Sequence, residues 1–216
     1  MNPRGWLLVS LLFGCDGVAS DPLEPDATTT PPDAAIVTGN KRVFVTDTVY
    51  QGGLIGGLAG ADMKCEARAA AAGLAGTYKA WLSDATASAA GRLTHSSGAY
   101  LLVDGSMVAP NWEALTSGTL AHALNLDPFG AAHAAPIKCS IVGGLKAAWT
   151  STKVDGAAVD KTDTGDYFCG NWTELEHGGL IGNGLVGNSQ AMNGKWTFSN
   201  CGLSCTDEAA LYCIEQ

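Results

Sequence analysis

The stretch VDGAAVDKTDTGDYFCGNWTE brings together Asp155, Asp160, Asp163, Asp166, Asn171 and Glu174. All six side chains end in oxygen, the hard donor that Ca²⁺ collects in sets of roughly six to eight. Carboxylates held close repel one another until a cation or a basic partner neutralises them, so the segment reads as a contact loop that orders when its ligand arrives. The acids do not follow the alternate-position spacing of an EF-hand. Calcium and a metal-free polar contact surface therefore both stay open. Glu174 and Glu176, flanking Leu175, have the form of a carboxylate pair, against which stands the plainer reading of a solvated loop.

Other reactive groupings are sparse. His95, His122, His133 and His177 are scattered without the close pairing of a zinc site, and no G-x-S-x-G elbow marks a nucleophile. Gly182 to Gly187 satisfies G-x-G-x-x-G with Asp207 further on. That motif works only between a strand and a helix whose amino terminus faces the pyrophosphate, and here Asn188-Ser189-Gln190 and Asn193-Gly194 follow, so it reads as a glycine loop. Trp149, Trp172 and Trp196 each precede a threonine, a spacing natural to strands whose ring packs inward. Core packing is the default for the tryptophans. Trp112, in the loop-like VAPNWEAL, is the best placed to stack on a sugar.

Short strands must position these groups. RVFVT (42–46) alternates in the β-branched pattern of a first strand. The glycine-rich GGLIGGLAG leads into ADMKCEARAAAAG, an alanine-rich helix with Asp62 near its start and Gly73 as its stop. Residues 78–83, 99–103, 147–151, 167–169, 195–198 and 210–214 read as further strands, and a second short helix is expected around 112–115. Strands and helices do not alternate, so the expected class is α+β.

The cysteines divide one plus six. Cys15 closes the apolar run GWLLVSLLFGC, too short to span a bilayer and preceded by Arg4, which makes residues 1–14 an export signal. Residues 15–40 hold four of the eight prolines, five acids and no Lys or Arg; this is a tether that buries too little to offset its ordering entropy. An extra strand over 34–37 packing on the domain is the alternative. Cys65, Cys139, Cys169, Cys201, Cys205 and Cys213 all fall in the domain 41–216, where an exported chain pairs them as three disulfides, although spacing does not choose the pairs. The chain carries 12 basic and 21 acidic residues; without Arg4 the balance is 11 against 21, a net charge of about −10. Such a charge excludes a nucleic-acid partner and a polybasic grip on lipid.

Leu12-Phe13-Gly14-Cys15 resembles the lipobox of bacterial lipoproteins, which implies cleavage before Cys15 and a diacylglycerol on its thiol. An ordinary signal cut after Ala19 or Ser20, with Cys15 discarded, remains the other reading. Either way the domain is exported. From about Val43 to the end, the order of pieces resembles a bacterial domain-of-unknown-function family of exported lipoproteins with a C-type-lectin-like fold, including the leptospiral endostatin-like surface proteins. GGLAGAD-x-x-C at the helix entry and LYC-x-EQ at the exit carry the resemblance. It implies the pairs Cys65–Cys213, Cys169–Cys205 and Cys139–Cys201, with Cys169–Cys201 and Cys139–Cys205 as the competing assignment. Calcium-dependent lectins place metal and sugar on the long loop, here 155–174. This chain lacks their Glu-Pro-Asn or Gln-Pro-Asp triplet, and Asn171-Trp172-Thr173 replaces Trp-Asn-Asp.

These readings converge on a non-enzymatic binding module, lipid-anchored at the bacterial outer membrane or cell surface. Residues between Ala147 and Asn193 would contact a glycan or an extracellular or matrix protein, without an obligatory cofactor. A structural envelope lipoprotein, and an enzyme on a lectin-like scaffold similar to formylglycine-generating proteins, are the other two classes.

Overall fold

The computed structural model of the chain describes residues 36–37, 39–139, 144–160, 166–177, 180–181 and 183–216. The signal segment, Cys15, most of the tether and Asp163 lie outside the described residues.

The body is α+β. KRVFV forms β1 (Lys41–Val45) and EAALYCIE forms β8 (Glu208–Glu215), antiparallel neighbours with Cys213 opposite Phe44. Their alternation feeds two cores rather than one core and solvent. On one face lie Phe44, Ala209, Leu211 and Cys213, and on the other Val43, Val45, Ala210, Tyr212 and Ile214. A strand buried on both faces reads as a nearly continuous apolar run, which is how ALYCI reads.

Between them come α1 (Gly57–Ala71), β2 (Tyr78–Ala80), α2 (Ala89–Arg92), β3 (Tyr100–Leu101), β4 (Met107–Ala109) and α3 (Trp112–Leu115). Then follow β5 (Leu145–Trp149), the short α4 (Cys169–Trp172), β6 (Asn183–Asn188) and β7 (Cys201–Ser204). The main sheet runs β7-β6-β5-β8-β1-β3-β4, with β5–β8 and β1–β3 parallel. The helix α1 covers the first core through Ala61, Cys65 and Ala69. Asp62 ties it to the next elements, accepting from Ala80 N at 2.9 Å and pairing with Arg92 Nη2 at 2.6 Å. Ile36–Val37 runs parallel to His95–Ser96, so backbone pairing begins before Lys41, within the expected tether.

Three local expectations are corrected. Lys195–Phe198 is not a strand: Asn193 Oδ1 accepts from Lys195 N at 3.1 Å and starts the 3-10 turn Gly194–Trp196, a local cap that outcompetes β propensity. Tyr167–Cys169 leads into a turn instead of forming a core strand. The glycines of the G-x-G-x-x-G stretch that are described lie in strand β6, not in a loop. They are needed for close approach: a Cβ on Gly184 would stand 2.8 Å from a Trp149 ring carbon and 2.9 Å from one of Trp172.

The disulfides are Cys65–Cys213, Cys139–Cys201 and Cys169–Cys205, with Cα separations of 5.5, 6.2 and 5.4 Å, and they match the pairs that the resemblance implied. The competing pairing is not formed, because one turn gathers Cys169 with Cys205. Gly53 N donates to Cys205 O at 2.9 Å, and a Cβ on Gly52 would touch Cys169 Sγ. Three such bridges belong to an oxidising, extracytoplasmic setting. Among the described residues no helix is long and apolar enough to cross a membrane.

Candidate functional site

Where β5 ends, Ser151 adopts φ = 40°, a conformation unusual for a residue other than glycine. Its surroundings hold it there. Thr150 N and Ser151 N both donate to Leu185 O at 3.1 Å, Leu185 N donates to Ser151 Oγ at 3.0 Å, and Ser151 Oγ donates in turn to Tyr167 O. One buried hydroxyl thus joins β5, β6 and the segment around Tyr167.

Beyond Ser151 the chain doubles back. Thr152 bridges Ala158, Lys153 N donates to Ala157 O at 2.8 Å, and Asp155 Oδ1 accepts from Ala157 N at 2.9 Å. Gly156, at φ = 83°, makes the turn that Asp-Gly favours. Ala90 N of α2 donates to its carbonyl at 2.9 Å, fixing the hairpin tip.

This hairpin, with Tyr167, Leu185, Phe198 and Thr116, encloses a cleft of about 690 Å³. Its walls are apolar, formed by Val154, Val159, Tyr167, Leu185 and Phe198. Lys153, Asp155 and Asp160 stand among the lining residues. Lys153 Nζ pairs with Asp160 Oδ2 at 2.8 Å, but the Asp160 side chain is 85% exposed. A pair so open to water contributes roughly 0–1 kcal/mol and separates readily.

The oxygen-bearing residues singled out in the sequence divide between two places. Asp155 and Asp160 line the cleft. Asp166, Asn171 and Glu174 instead belong to the neighbouring turn: Asp166 Oδ1 accepts from Phe168 N at 3.0 Å and Oδ2 from Gly170 N at 2.8 Å, and Asn171 Oδ1 accepts from Ala85 N at 3.1 Å. The Glu174 side chain folds over Gly170, where a Cβ would stand 2.7 Å from the Glu174 Cβ. Asp163 lies outside the described residues. Among the described residues, no three His, Cys, Asp or Glu side chains gather to hold a metal ion.

That turn is itself unusual. Cys169, Gly170, Asn171 and Trp172 have φ of 49°, 58°, 56° and 66°, four successive left-handed residues where single ones are the rule. It is held from three sides. Cys169 is bonded to Cys205, Trp172 Nε1 donates to Ser83 O at 2.8 Å, and Gly56 N donates to Trp172 O at 2.9 Å.

Trp112 is only 9% exposed. Its ring is stacked on His95 at 3.7 Å and tilted against Trp81 at 5.7 Å, so it is a core residue at the start of α3 rather than an open platform. His133 is buried, with Nδ1 2.8 Å from Ser189 Oγ and no partner for Nε2 among the described residues. Burial, reinforced by the Lys146 ammonium and opposed by the Asp127 carboxylate, lowers its pKa to about 4. Ser189 is fully buried as well, so this serine and histidine do not meet a substrate.

Sequence reasoning missed Val154, Val159, Tyr167, Leu185 and Phe198 as lining residues, because apolar side chains carry no chemical signature, and also Lys153, the single cation among the described lining residues. The Asp155-Gly156 turn signal between two valines was the available clue. No known family model and no curated protein matches the chain.

Proposed function

We propose that this protein is an exported, lipid-anchored binding module, not an enzyme, whose C-type-lectin-like α+β domain engages a glycan or an extracellular protein without a metal. The observation that carries the proposal is the cleft beside the 151–160 hairpin, with apolar walls and charged groups among its lining. Its size and composition match those of sites that take ligands through apolar contact and orient them with a few polar groups. Rigidity supports the same reading: the disulfides and the Ser151 bonds hold the walls before a ligand arrives, which lowers the entropy cost of binding. All six cysteines of the domain are in disulfides, leaving no thiol of the kind a formylglycine-generating enzyme would use. The net charge disfavours nucleic acid and leaves lipid on Cys15 as the link to the membrane.

The test immobilises the mature domain against a glycan array and a panel of extracellular-matrix proteins, with Leu185→Lys in parallel. Binding that the substitution abolishes supports the proposal, whereas binding unchanged by it moves the site elsewhere. Fractionation of Cys15→Ala tests the anchor: release from the membrane fraction is expected, and full retention would refute lipidation.

A further inference from the structure

Resting on the cleft reading above, we infer that its occupant is a polypeptide segment that sets an apolar or aromatic side chain beside a basic one. Two observations lead there, the first being the composition of the walls. Val154, Val159, Tyr167, Leu185 and Phe198 offer apolar surface. The polar side chains among the described residues are few, Thr116, Lys153, Asp155 and Asp160, and the three charged ones suit an ionic partner better than a ring of neutral hydroxyls. A sugar ring entering here would leave most of its hydroxyls facing aliphatic and aromatic carbon without partners, a costly desolvation. An apolar side chain loses nothing of that kind and gains from burial.

The second observation is charge. Among the described residues, Asp155 and Asp160 face a single cation, Lys153, so the described lining carries a net negative charge, on a chain with 21 acidic against 12 basic residues. The Lys153–Asp160 pair is exposed enough to open. An incoming Arg or Lys takes Asp155, or displaces Lys153 from Asp160, while an acidic group meets repulsion from both carboxylates. The complementary partner is therefore cationic at the rim and apolar in the depth, and its attraction weakens as salt screens it.

A display library of random short peptides, selected on the full mature chain and counter-selected on Leu185→Lys and separately on Tyr167→Lys, tests this. The two substitutions alter different walls, so failure of one variant to fold leaves the other. The expected result is enrichment of peptides with Arg or Lys within two positions of an aromatic or aliphatic residue. They should lose about tenfold or more in affinity on either variant and on the doubly substituted Asp155→Asn/Asp160→Asn chain. Enrichment of acidic or uncharged peptides, or indifference to the Asp substitutions, would overturn the basic partner. If no peptide is enriched but an oligosaccharide binds in a manner abolished by Leu185→Lys, the polypeptide assignment fails and the cleft stands. Ligands that bind equally well to wild type and both wall variants would overturn the cleft itself.

Discussion

Leu185 N donates to Ser151 Oγ at 3.0 Å, so the wall residue of β6 is fixed by the hydroxyl of a residue with positive φ at the end of β5. The same oxygen donates to Tyr167 O, which makes Ser151 the joint of the cleft. Ser151→Ala leaves a half-buried amide and a carbonyl unpaired at once and should cost about 1–3 kcal/mol. Denaturant unfolding measures the loss, and amide exchange at Leu185 should accelerate. An unchanged midpoint with unchanged exchange would show that the hydroxyl positions nothing.

The Cys65–Cys213 bridge closes a loop of 148 residues, against 62 for Cys139–Cys201 and 36 for Cys169–Cys205. Chain entropy assigns these about 5, about 4 and about 4 kcal/mol. Cys65 and Cys213 are fully buried between α1 and β8, as Cys169 and Cys205 are in their turn, so a void left by paired alanines adds to the loss for both and loop length separates them. Cys65→Ala/Cys213→Ala should therefore lower stability most, by at least about 1 kcal/mol more than either other pair. Equal losses for the three double variants would show that loop length and burial do not set the ranking.

How far the sequence alone reached depended on the kind of signal. The strand and helix cores at 42–45, 61–71 and 210–214 were legible because apolar alternation and an alanine-rich run are local signals. The turns at 169–172 and 194–196 were not, because a disulfide partner 36 residues away and an Asn193 cap overrode the β character of Tyr, Phe and Trp. Of the oxygen-bearing set, Asp155 and Asp160 reach the cleft while Asp166 and Asn171 bond backbone amides, a division that depends on φ at Ser151 and Asn171 and leaves no trace in composition.

His133 gives the domain a dependence on pH. Its folded pKa of about 4 lies below the ordinary 6.5, so the unfolded chain holds the extra proton between those values. Stability should accordingly fall as pH drops from about 6.5 towards about 4, with a slope of up to about 1.4 kcal/mol per pH unit from this group, and flatten below. His133→Gln should remove the part of the slope above about pH 5, where most carboxylates remain ionised. If unfolding free energies of wild type and variant run parallel from neutral pH to about pH 5, the imidazole is not the sensor.

Calcium should leave the domain unaffected. Among the described residues the carboxylates are spent on Lys153 and on the Ala157, Phe168 and Gly170 amides rather than turned towards a common point. A ligand of the native state alone raises stability by RT ln(1 + [L]/Kd), so melting at about 1 mM calcium and then with chelator gives a direct reading. Coincident curves are expected. A rise reversed by chelator, and lost in Asp155→Asn/Asp160→Asn, would establish a metal site at the cleft.

The left-handed turn supplies a comparison between two substitutions at one position. Asn171 sits at φ 56° and ψ 39°, and its side chain accepts from Ala85 N at 3.1 Å. Asparagine tolerates that conformation better than most residues, glycine better still, and alanine poorly. Asn171→Ala loses the hydrogen bond and adds backbone strain, for a cost of about 1–2 kcal/mol. Asn171→Gly loses the same bond but relieves the strain, and should stay within about 0.5 kcal/mol of wild type. The difference between the two variants isolates the backbone contribution, since neither carries the amide. Equal destabilisation by Ala and Gly would mean that residue 171 is not left-handed, and the turn that Cys169 and Trp172 anchor would have to be redrawn.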